Sequence, residues 1–258
     1  MGSGIHLGIF KEGVMEESIL CIHTHHPPTF SRSDTPTTSP SSLKMHVIEL
    51  FSFSASTALL GDPSLATPTL QYFRNIEGCL DVRYGYVIEQ LEKNRFMIVI
   101  TWKTYEHFEQ SLKGVDYNSF ISSLRTSLPS SLEIQVSLLE EDPTEMLSAP
   151  VTDLSVVDVE PGTSDEAVKA VFQHMDESRH KVKAVNDPTA KYPTKIVYGP
   201  IKNSSEPQCL LLCGWSSREK HREYVKKATG VNEEELDVKK IITVVKDLHI
   251  RHAALKSA

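Results

Sequence analysis

The sequence predicts an α+β fold in which one β-α-β-β-α-β unit occurs twice along 258 residues. Two stretches indicate the repetition: residues 96–114 and 209–230 each run from an apolar strand into a tryptophan, Trp102 or Trp215, and then into a polar helix start. A Tyr-Gly pair precedes each tryptophan at nearly the same distance. Self-similarity of this kind is the sequence signature of a repeated structural unit.

The first unit is predicted over residues 45–143. Its central strand is the continuous apolar run 96–102, which is typical of a strand covered on both faces. Its last strand, 132–138, alternates apolar and polar residues and therefore buries one face. The remaining elements are a strand at 46–53, a helix at 63–75, a strand at 80–89 and a helix that begins at Thr104, with Tyr105, Phe108 and Leu112 on one face.

The second unit is predicted over residues 151–258, after a linker at 139–152 that is rich in proline and acidic residues. Two capping-box spacings mark the starts of its helices, Thr163 with Glu166 and Ser216 with Glu219. The other elements are strands at 154–159, 195–199, 209–215 and 241–250, and an apolar helical stripe formed by Val168, Val171, Phe172 and Met175.

This element order is the ferredoxin-like arrangement, which gives each unit a four-stranded antiparallel sheet with both helices on one face. The other face of each sheet would be exposed, and large exposed apolar faces are rare in soluble proteins. The two sheets are therefore predicted to pack against each other, as an intramolecular version of a dimeric α/β barrel. The chain is then expected to be a monomer that is itself a pseudo-dimer.

Composition argues against several classes of protein. The net charge of -7 argues against a nucleic-acid surface, and no apolar run approaches the roughly 18 residues that a membrane span needs. Four scattered cysteines argue against a disulfide framework and favour a cytoplasmic protein. Cys209 and Cys213 share one face of a strand and are predicted to be buried. Residues 1–44, which include a Pro-, Ser- and Thr-rich segment, are predicted to be a disordered or upstream extension.

Two short motifs carry a resemblance to a known family. The sequence WSSREKH runs from Trp215 to His221, and WKTYEHF begins at Trp102. They resemble the signature of the antibiotic-biosynthesis monooxygenase family within the dimeric α/β barrels: a strand ending in Trp, then a small residue or two, Glu and a following His. The first motif departs from it, because Phe108 stands where the second has His221 and His107 comes one residue earlier. Gly-Cys-Leu at residues 78–80 is also similar to the family's lead into its second strand, and the resemblance covers residues 45 to 255.

The resemblance implies a range of activities as well as a fold. Some relatives oxygenate polycyclic aromatic phenols without a metal or a flavin, whereas others degrade haem or isomerise or cyclise small metabolites. A small aromatic ligand is therefore expected, with no cofactor and no metal. A fold alone does not choose among such activities.

The candidate site residues lie on or just after the central strands. Trp215 and Trp102 are candidates for a pocket wall on which a flat substrate stacks, with core packing as the alternative. Tyr198 and Tyr84 lie on neighbouring strands, where a phenol can relay a proton or fill the core. His221 is the candidate for acid–base chemistry, because imidazole titrates near neutral pH. The predicted catalytic residues are thus His221, Tyr198 and Trp215, and the predicted substrate-binding residues are Trp102 and Tyr84.

The sequence therefore predicts a cofactor-independent monooxygenase, or a related small-molecule enzyme, that acts on an aromatic, polyketide-type metabolite. The alternative is a non-catalytic ligand-binding or scaffold protein of the same fold, which the imperfect first motif favours. A cavity with Tyr or His at its rim would favour the enzyme, whereas a filled gap beneath both tryptophans would favour the scaffold.

Overall fold

A computed structural model describes residues 45–89, 94–114, 117–119, 121, 132–186, 191–230 and 244–258. The predicted extension at 1–44 lies outside the described residues. None of the helices in the described ranges is long and apolar enough to cross a membrane.

Ten strands and six α-helices form the described fold, which is mixed α+β. The strands are β1 His46–Ser54, β2 Cys79–Tyr86, β3 Arg95–Trp102, β4 Glu133–Leu139, β5 Val151–Val159, β6 Val197–Pro200, β7 Gln208–Trp215, β8 Val245–His249, β9 His252–Ala253 and β10 Lys256–Ser257. The helices are α1 Thr57–Gly61, α2 Thr67–Arg74, α3 Tyr105–Lys113, α4 Thr144–Leu147, α5 Asp165–Asn186 and α6 Arg218–Thr229, with a 3-10 helix at Pro63–Ala66 before α2.

The strands form two antiparallel sheets. The first has the order β10-β2-β3-β1-β4, and the second has the order β6-β7-β5-β8, with β9 also paired to β5. The long apolar strands β3 and β7 lie inside their sheets, as the continuous apolar runs predict.

Three hydrophobic clusters show that the two sheets pack face to face. Alternate residues of β1 point to opposite faces, so Val47 and Phe51 pack under α2 and α3, whereas Ile48 and Leu50 face the second sheet. The cluster between the sheets takes residues from both of them. A third cluster packs the far face of the second sheet against α5 and α6. The layers are therefore helices, sheet, sheet and helices.

Backbone contacts at the sheet edges also join the two halves. On one side, β4 meets β6 through a bridge between Ser137 and Ile201, and Ser137 Oγ donates to the Gly199 carbonyl at 3.0 Å. A side chain at Gly199 does not fit, because its Cβ would lie 1.8 Å from the Leu138 carbonyl oxygen. On the other side, residues 252–258 cross back to the first half; we call them the C-terminal strap. Its β10 extends the first sheet beside β2.

Both predicted helix caps are wrong by one residue. Ser164 Oγ, not Thr163, accepts the Ala167 N–H at 3.2 Å, and Ser217 Oγ, not Ser216, accepts the Lys220 N–H at 3.3 Å. Ser217 has an extended backbone, which directs its hydroxyl at the first turn of α6.

Two other predictions differ from the structure. The linker at 139–152 contains the short helix α4 and the start of β5, and Met146 and Leu147 are buried in the cluster between the sheets. The stripe on α3 is narrower than predicted, because Phe108 is buried whereas Tyr105 and Leu112 are each 38% exposed.

Candidate functional site

A cavity of about 190 Å³ lies between the second sheet and helices α5 and α6. Its walls are mostly apolar, because the sheet and both helices turn their hydrophobic faces toward it. The apolar side chains that line it include Val157, Val171, Phe172, Leu211, Val225 and Leu248. A cavity of this kind suits a small and largely apolar ligand.

Polar groups gather at one end of the cavity, around Asp153 on β5. Asp153 is 5% exposed, and its cross-strand partner is Cys213 on β7. Ser155 Oγ donates to Asp153 Oδ1 at 2.5 Å. On α6, His221 places its Nε2 3.9 Å from Asp153 Oδ2, and all four side chains line the cavity.

A line of hydrogen bonds runs from His221 to the first half of the chain. His221 Nδ1 lies 2.7 Å from Nε2 of His252 on the C-terminal strap. His252 Nδ1 lies 2.5 Å from Glu89 Oε1, and the His252 backbone N–H donates to Glu89 Oε2 at 3.0 Å. Arg218 Nε is 3.3 Å from the same carboxyl group. We call Glu89, His252 and His221 the relay.

The pKa shifts of Glu89 and His221 determine the charge of each group at neutral pH. Burial lowers the pKa of His221 well below its usual value, and the charges of His252, Arg218 and Arg222 lower it further. Burial raises the pKa of Glu89, but the hydrogen bonds from His252 more than offset this, so the Glu89 pKa is lowered overall. At neutral pH Glu89 is therefore a carboxylate and His221 is a neutral imidazole.

These charge states define which nitrogen can accept a proton. The Glu89 carboxylate can only accept hydrogen bonds, so His252 Nδ1 carries its hydrogen toward Glu89. When His252 is neutral, its Nε2 accepts the hydrogen on His221 Nδ1; when His252 carries the positive charge that lowers the pKa of His221, its Nε2 donates to His221 Nδ1 instead. In the state with neutral His252, the remaining nitrogen, His221 Nε2, carries a lone pair at the polar end of the cavity. This arrangement can remove a proton from a bound molecule.

Two further donors in the cavity wall have no acceptor among the residues that the structure describes. Trp215 Nε1 and Arg179 Nε are buried, and neither has a hydrogen-bond partner in the described part of the chain. The Trp215 ring centroid lies 4.6 Å from that of His221 and 5.4 Å from that of Tyr224. Buried donors usually find an acceptor, so both groups are suited to bind a ligand.

The matching place in the first half is filled by side chains. Val47 on β1 lies opposite Trp102, as Val151 on β5 lies opposite Trp215, so Glu49 stands where Asp153 stands in the second half. Trp102 Nε1 donates to Glu49 Oε2 at 3.0 Å, and the Tyr117 hydroxyl donates to Glu49 Oε1. Burial raises the pKa of Glu49 to about 7, although both hydrogen bonds oppose the shift.

The structure brings together two of the three residues predicted to be catalytic. Trp215 and His221 share the cavity, whereas Tyr198 lies in a neighbouring groove, packed at a tilt against Phe172 with a centroid distance of 4.5 Å. Burial raises the pKa of Tyr198 to about 12, and nearby carboxylates add to the effect.

The residues predicted to bind substrate lie in the other half. Trp102 is fully buried, and Tyr84 packs against Phe96 with a centroid distance of 5.9 Å. His107 is not at the cavity either, because its Nδ1 is 2.8 Å from Thr104 Oγ1. The predicted burial of Cys209 and Cys213 is confirmed, and Cys213 forms part of the cavity wall.

Sequence reasoning missed Asp153, Glu89, His252 and Arg179. The sequence did contain a signal for Asp153, because an acidic residue inside an apolar strand is unusual. Glu49 is a second such residue, in the first half of the chain. The sequence offers no comparable signal for Glu89 and His252, because they are 163 positions apart. Arg179 sits among other polar residues on a long helix.

Part of the site could also hold a metal ion. Asp153, His221 and His252 each offer a ligand atom within 4.8 Å of the others. However, His221 Nδ1 and His252 Nε2 are 2.7 Å apart and share a hydrogen bond, so a lone pair that a metal would need is committed to the other ring. The arrangement therefore fits proton movement better than coordination. A second group, Asp158, Asp247 and His249, lies nearer the surface.

Comparison with solved structures shows the fold. An anthrone oxidase-like protein matches with a TM-score of 0.56 and 13% identity, over 83% of this chain and 94% of that protein. A candidate monooxygenase from Lactobacillus acidophilus matches with a TM-score of 0.50 and 11% identity, over 83% and 96%. A candidate chlorite dismutase matches with a TM-score of 0.50 and 9% identity, over 82% and 94%.

At such low identities the likeness concerns the fold alone. No protein-family model matches the chain, and no curated protein does.

Proposed function

We propose that this chain is a cofactor-independent oxygenase, or a closely related small-molecule enzyme, that removes a proton from an aromatic substrate held beside Trp215. One observation carries the proposal: the hydrogen-bonded relay from Glu89 through His252 ends with His221 at the wall of an apolar cavity. An imidazole oriented by a buried partner and a carboxylate is a well-placed general base.

The buried setting supports this role. Because the pKa of His221 is lowered, the imidazole is neutral and able to accept a proton at neutral pH. The Glu89 carboxylate stabilises the positive charge that appears on the two rings once the proton has arrived. Trp215 Nε1 supplies a hydrogen bond to the oxygen of an enolate or phenolate as its negative charge develops.

The proposed reaction needs no redox group from the protein. Proton removal at a CH₂ group beside an aromatic ketone gives an enolate, which passes an electron to O₂, and a C–O bond forms to give a hydroperoxide. Removal of the second C–H proton then breaks the O–O bond and forms the new carbonyl. One O₂ is consumed, one oxygen atom enters the product, and the other leaves as water. The apolar walls keep bulk water from the carbanion.

We also propose that residues 45–143 and 151–258 are two ferredoxin-like repeats that pack as an intramolecular barrel. The strand orders support this, because β4-β1-β3-β2 and β8-β5-β7-β6 are the same order once strands are counted within each half. With each sheet covered by the other, the chain would act as a cytoplasmic monomer. The chemistry would lie in the second half, since Trp102, Glu49 and Tyr117 occupy the corresponding place in the first.

Proton abstraction can be tested separately from oxygenation. The metal-free protein is incubated anaerobically in D₂O with an aromatic ketone such as a tetralone, and exchange of the α-protons is followed by NMR. Oxygen uptake is then measured with anthrone and with a naphthol. We expect His221→Asn to lower both rates by about a hundredfold or more. His107→Asn is the matched control, because His107 lies outside the cavity, and it should retain both activities.

Exchange without oxygen uptake would support a related isomerase-type enzyme. Absence of both reactions across the panel, or full activity in His221→Asn, would refute the proposal.

A further inference from the structure

Arg179 on α5 is a second polar feature of the cavity, separate from the relay. The residue is 1% exposed, and its Nη2 donates to Asp176 one turn earlier on the helix. Its Nη1 lies 3.8 Å from Cys213 Sγ, which is a weak acceptor. Its Nε–H is buried at the cavity and has no hydrogen-bond partner within the described ranges.

The unpaired Nε–H of Arg179 lowers the stability of the fold unless a ligand accepts a hydrogen bond from it. A buried donor without an acceptor destabilises the fold, and the cost is larger for a charged group. The rest of the cavity offers little relief, because its walls are formed mainly by apolar side chains such as Val171, Met175 and Leu211. The open Nε–H therefore indicates that the bound molecule provides an acceptor here.

The position of Cys213 relates Arg179 to Asp153 and to Trp215. Cys213 lies directly across from Asp153 in the sheet and two residues before Trp215 on the same strand. Side chains two residues apart on a strand are about 7 Å apart and on one face. Arg179 therefore lies beside one of these positions on β7, and Trp215 occupies the next position on the same face.

The charges decide what kind of acceptor fits. Asp176 already neutralises the guanidinium group, and its carboxylate is held by the Ile196 N–H at 2.6 Å as well. Asp153 adds a second carboxyl group at the polar end of the cavity. Because Asp176 offsets the guanidinium charge, an anionic group gains little over a neutral carbonyl oxygen as the acceptor for Nε–H.

We propose that Arg179 is a specificity-determining residue that donates a hydrogen bond to a neutral oxygen of the ligand, so that the preferred ligand is a flat, mostly apolar molecule with two separate acceptor oxygens. One oxygen accepts from Trp215 Nε1 near the base, and the other accepts from Arg179 Nε. The inference rests on the proposed function in that it concerns the same cavity, but it needs only binding.

A matched pair of ligands tests the proposal on the unmodified protein. One is a tetralone that carries an acetyl group on its distal ring, and the other carries an isopropenyl group, which replaces the second C=O by a C=CH₂ of nearly the same shape. Isothermal titration calorimetry gives both dissociation constants. We expect the acetyl compound to bind about tenfold or more tightly, as for a hydrogen bond from a charged donor. Equal affinities would overturn the proposal.

A charge-balanced variant identifies the donor. Arg179→Met with Asp176→Asn removes the ion pair while leaving an amide oxygen for the Ile196 N–H. The control, Lys169→Met with Glu140→Gln, removes an exposed ion pair that includes the same helix. The preference for the acetyl compound should vanish in the first double variant and persist in the control. A preference that persists in both would overturn the assignment to Arg179.

Failure of this proposal is distinguishable from failure of the proposed function. A ligand preference that depends on Arg179 without α-proton exchange would uphold the inference and reject the enzyme. Exchange that depends on His221 with no preference between the two ligands would do the reverse.

Discussion

Trp102 and Trp215 end corresponding strands, but the two indole N–H groups meet different surroundings. Trp102 Nε1 donates to the buried carboxyl of Glu49, whereas Trp215 Nε1 has no partner among the residues that the structure describes. The side chain that matches Glu49 in the second half is Asp153, which is one carbon shorter and accepts from Ser155 instead. One tryptophan therefore completes a core, and the other borders a cavity.

This contrast predicts that the same substitution destabilises the protein more at Trp102 than at Trp215. Both Trp102→Phe and Trp215→Phe lose some packing, but Trp102→Phe also leaves a buried carboxyl oxygen of Glu49 without its donor. We expect Trp102→Phe to lower the free energy of unfolding by about 1–3 kcal/mol more than Trp215→Phe does. Urea denaturation at pH 8 measures the difference, and equal losses would contradict the assigned hydrogen bond.

The stability of the protein should depend on pH through Glu49. Burial raises the pKa of Glu49 from 4.5 to about 7, so between these values the folded state binds more protons than the unfolded state. Stability contributed by the protonated carboxyl is present below about pH 4.5 and is lost as pH rises through 7. The full loss is about 3 kcal/mol.

Glu49→Gln should flatten this part of the curve, because the amide keeps an acceptor for Trp102 but does not ionise. The free energy of unfolding of both proteins, measured by denaturant titration between pH 4 and 8, gives the comparison. The same slope in both would show that other groups cause the dependence.

Glu89 should influence the reaction through its effect on His221, although it does not reach the cavity wall. We expect Glu89→Gln to lower the rate of α-proton exchange by about ten- to a hundredfold, since the carboxylate no longer stabilises the protonated relay. Activity requires neutral His221, so it rises with pH through the His221 pKa, and loss of the Glu89 charge should move this rise to lower pH. The pH–rate profile measures the effect.

Two results would separate a role in the relay from a structural role. Glu145→Gln, at an exposed position, should leave the profile unchanged. A slower Glu89→Gln protein with an unmoved pH profile would indicate that Glu89 only holds the C-terminal strap in place.

The C-terminal strap should contribute to stability through its backbone. In β10, Lys256 and Ser257 pair with Tyr84 and Arg83, and the Ala258 N–H donates to the Val82 carbonyl at 3.0 Å. Ending the chain at residue 255 should lower the free energy of unfolding by about 1–3 kcal/mol.

Lys256→Ala is the matched control for this truncation, because it keeps the backbone pairing, and it should unfold close to the wild-type midpoint. Thermal denaturation compares the three proteins. A truncated chain as stable as the full one would show that β10 adds nothing to the sheet.

Local patterns in the sequence were sufficient to predict much of the fold. The covered faces of a strand determine which of its residues are apolar. The continuous apolar runs in β3 and β7 and the alternation in β4 were therefore visible in the sequence. The helix caps were predicted to within one residue, because adjacent hydroxyl residues such as Ser216 and Ser217 are chemically equivalent and backbone geometry chooses between them. Trp215 and His221 were found because a single strand-to-helix turn joins them.

Tertiary structure alone decided which half has the cavity and what completes its site. Glu89 comes from the first half, His252 comes from the strap, and His221 comes from α6, so the hydrogen bonds among them exist only once the strap has crossed between the sheets. The open donor of Arg179 depends in the same way on what packs around α5. The periodicity of a sequence indicates whether a side chain is buried. It does not indicate which distant residue packs against that side chain, because this depends on the tertiary fold of the whole chain.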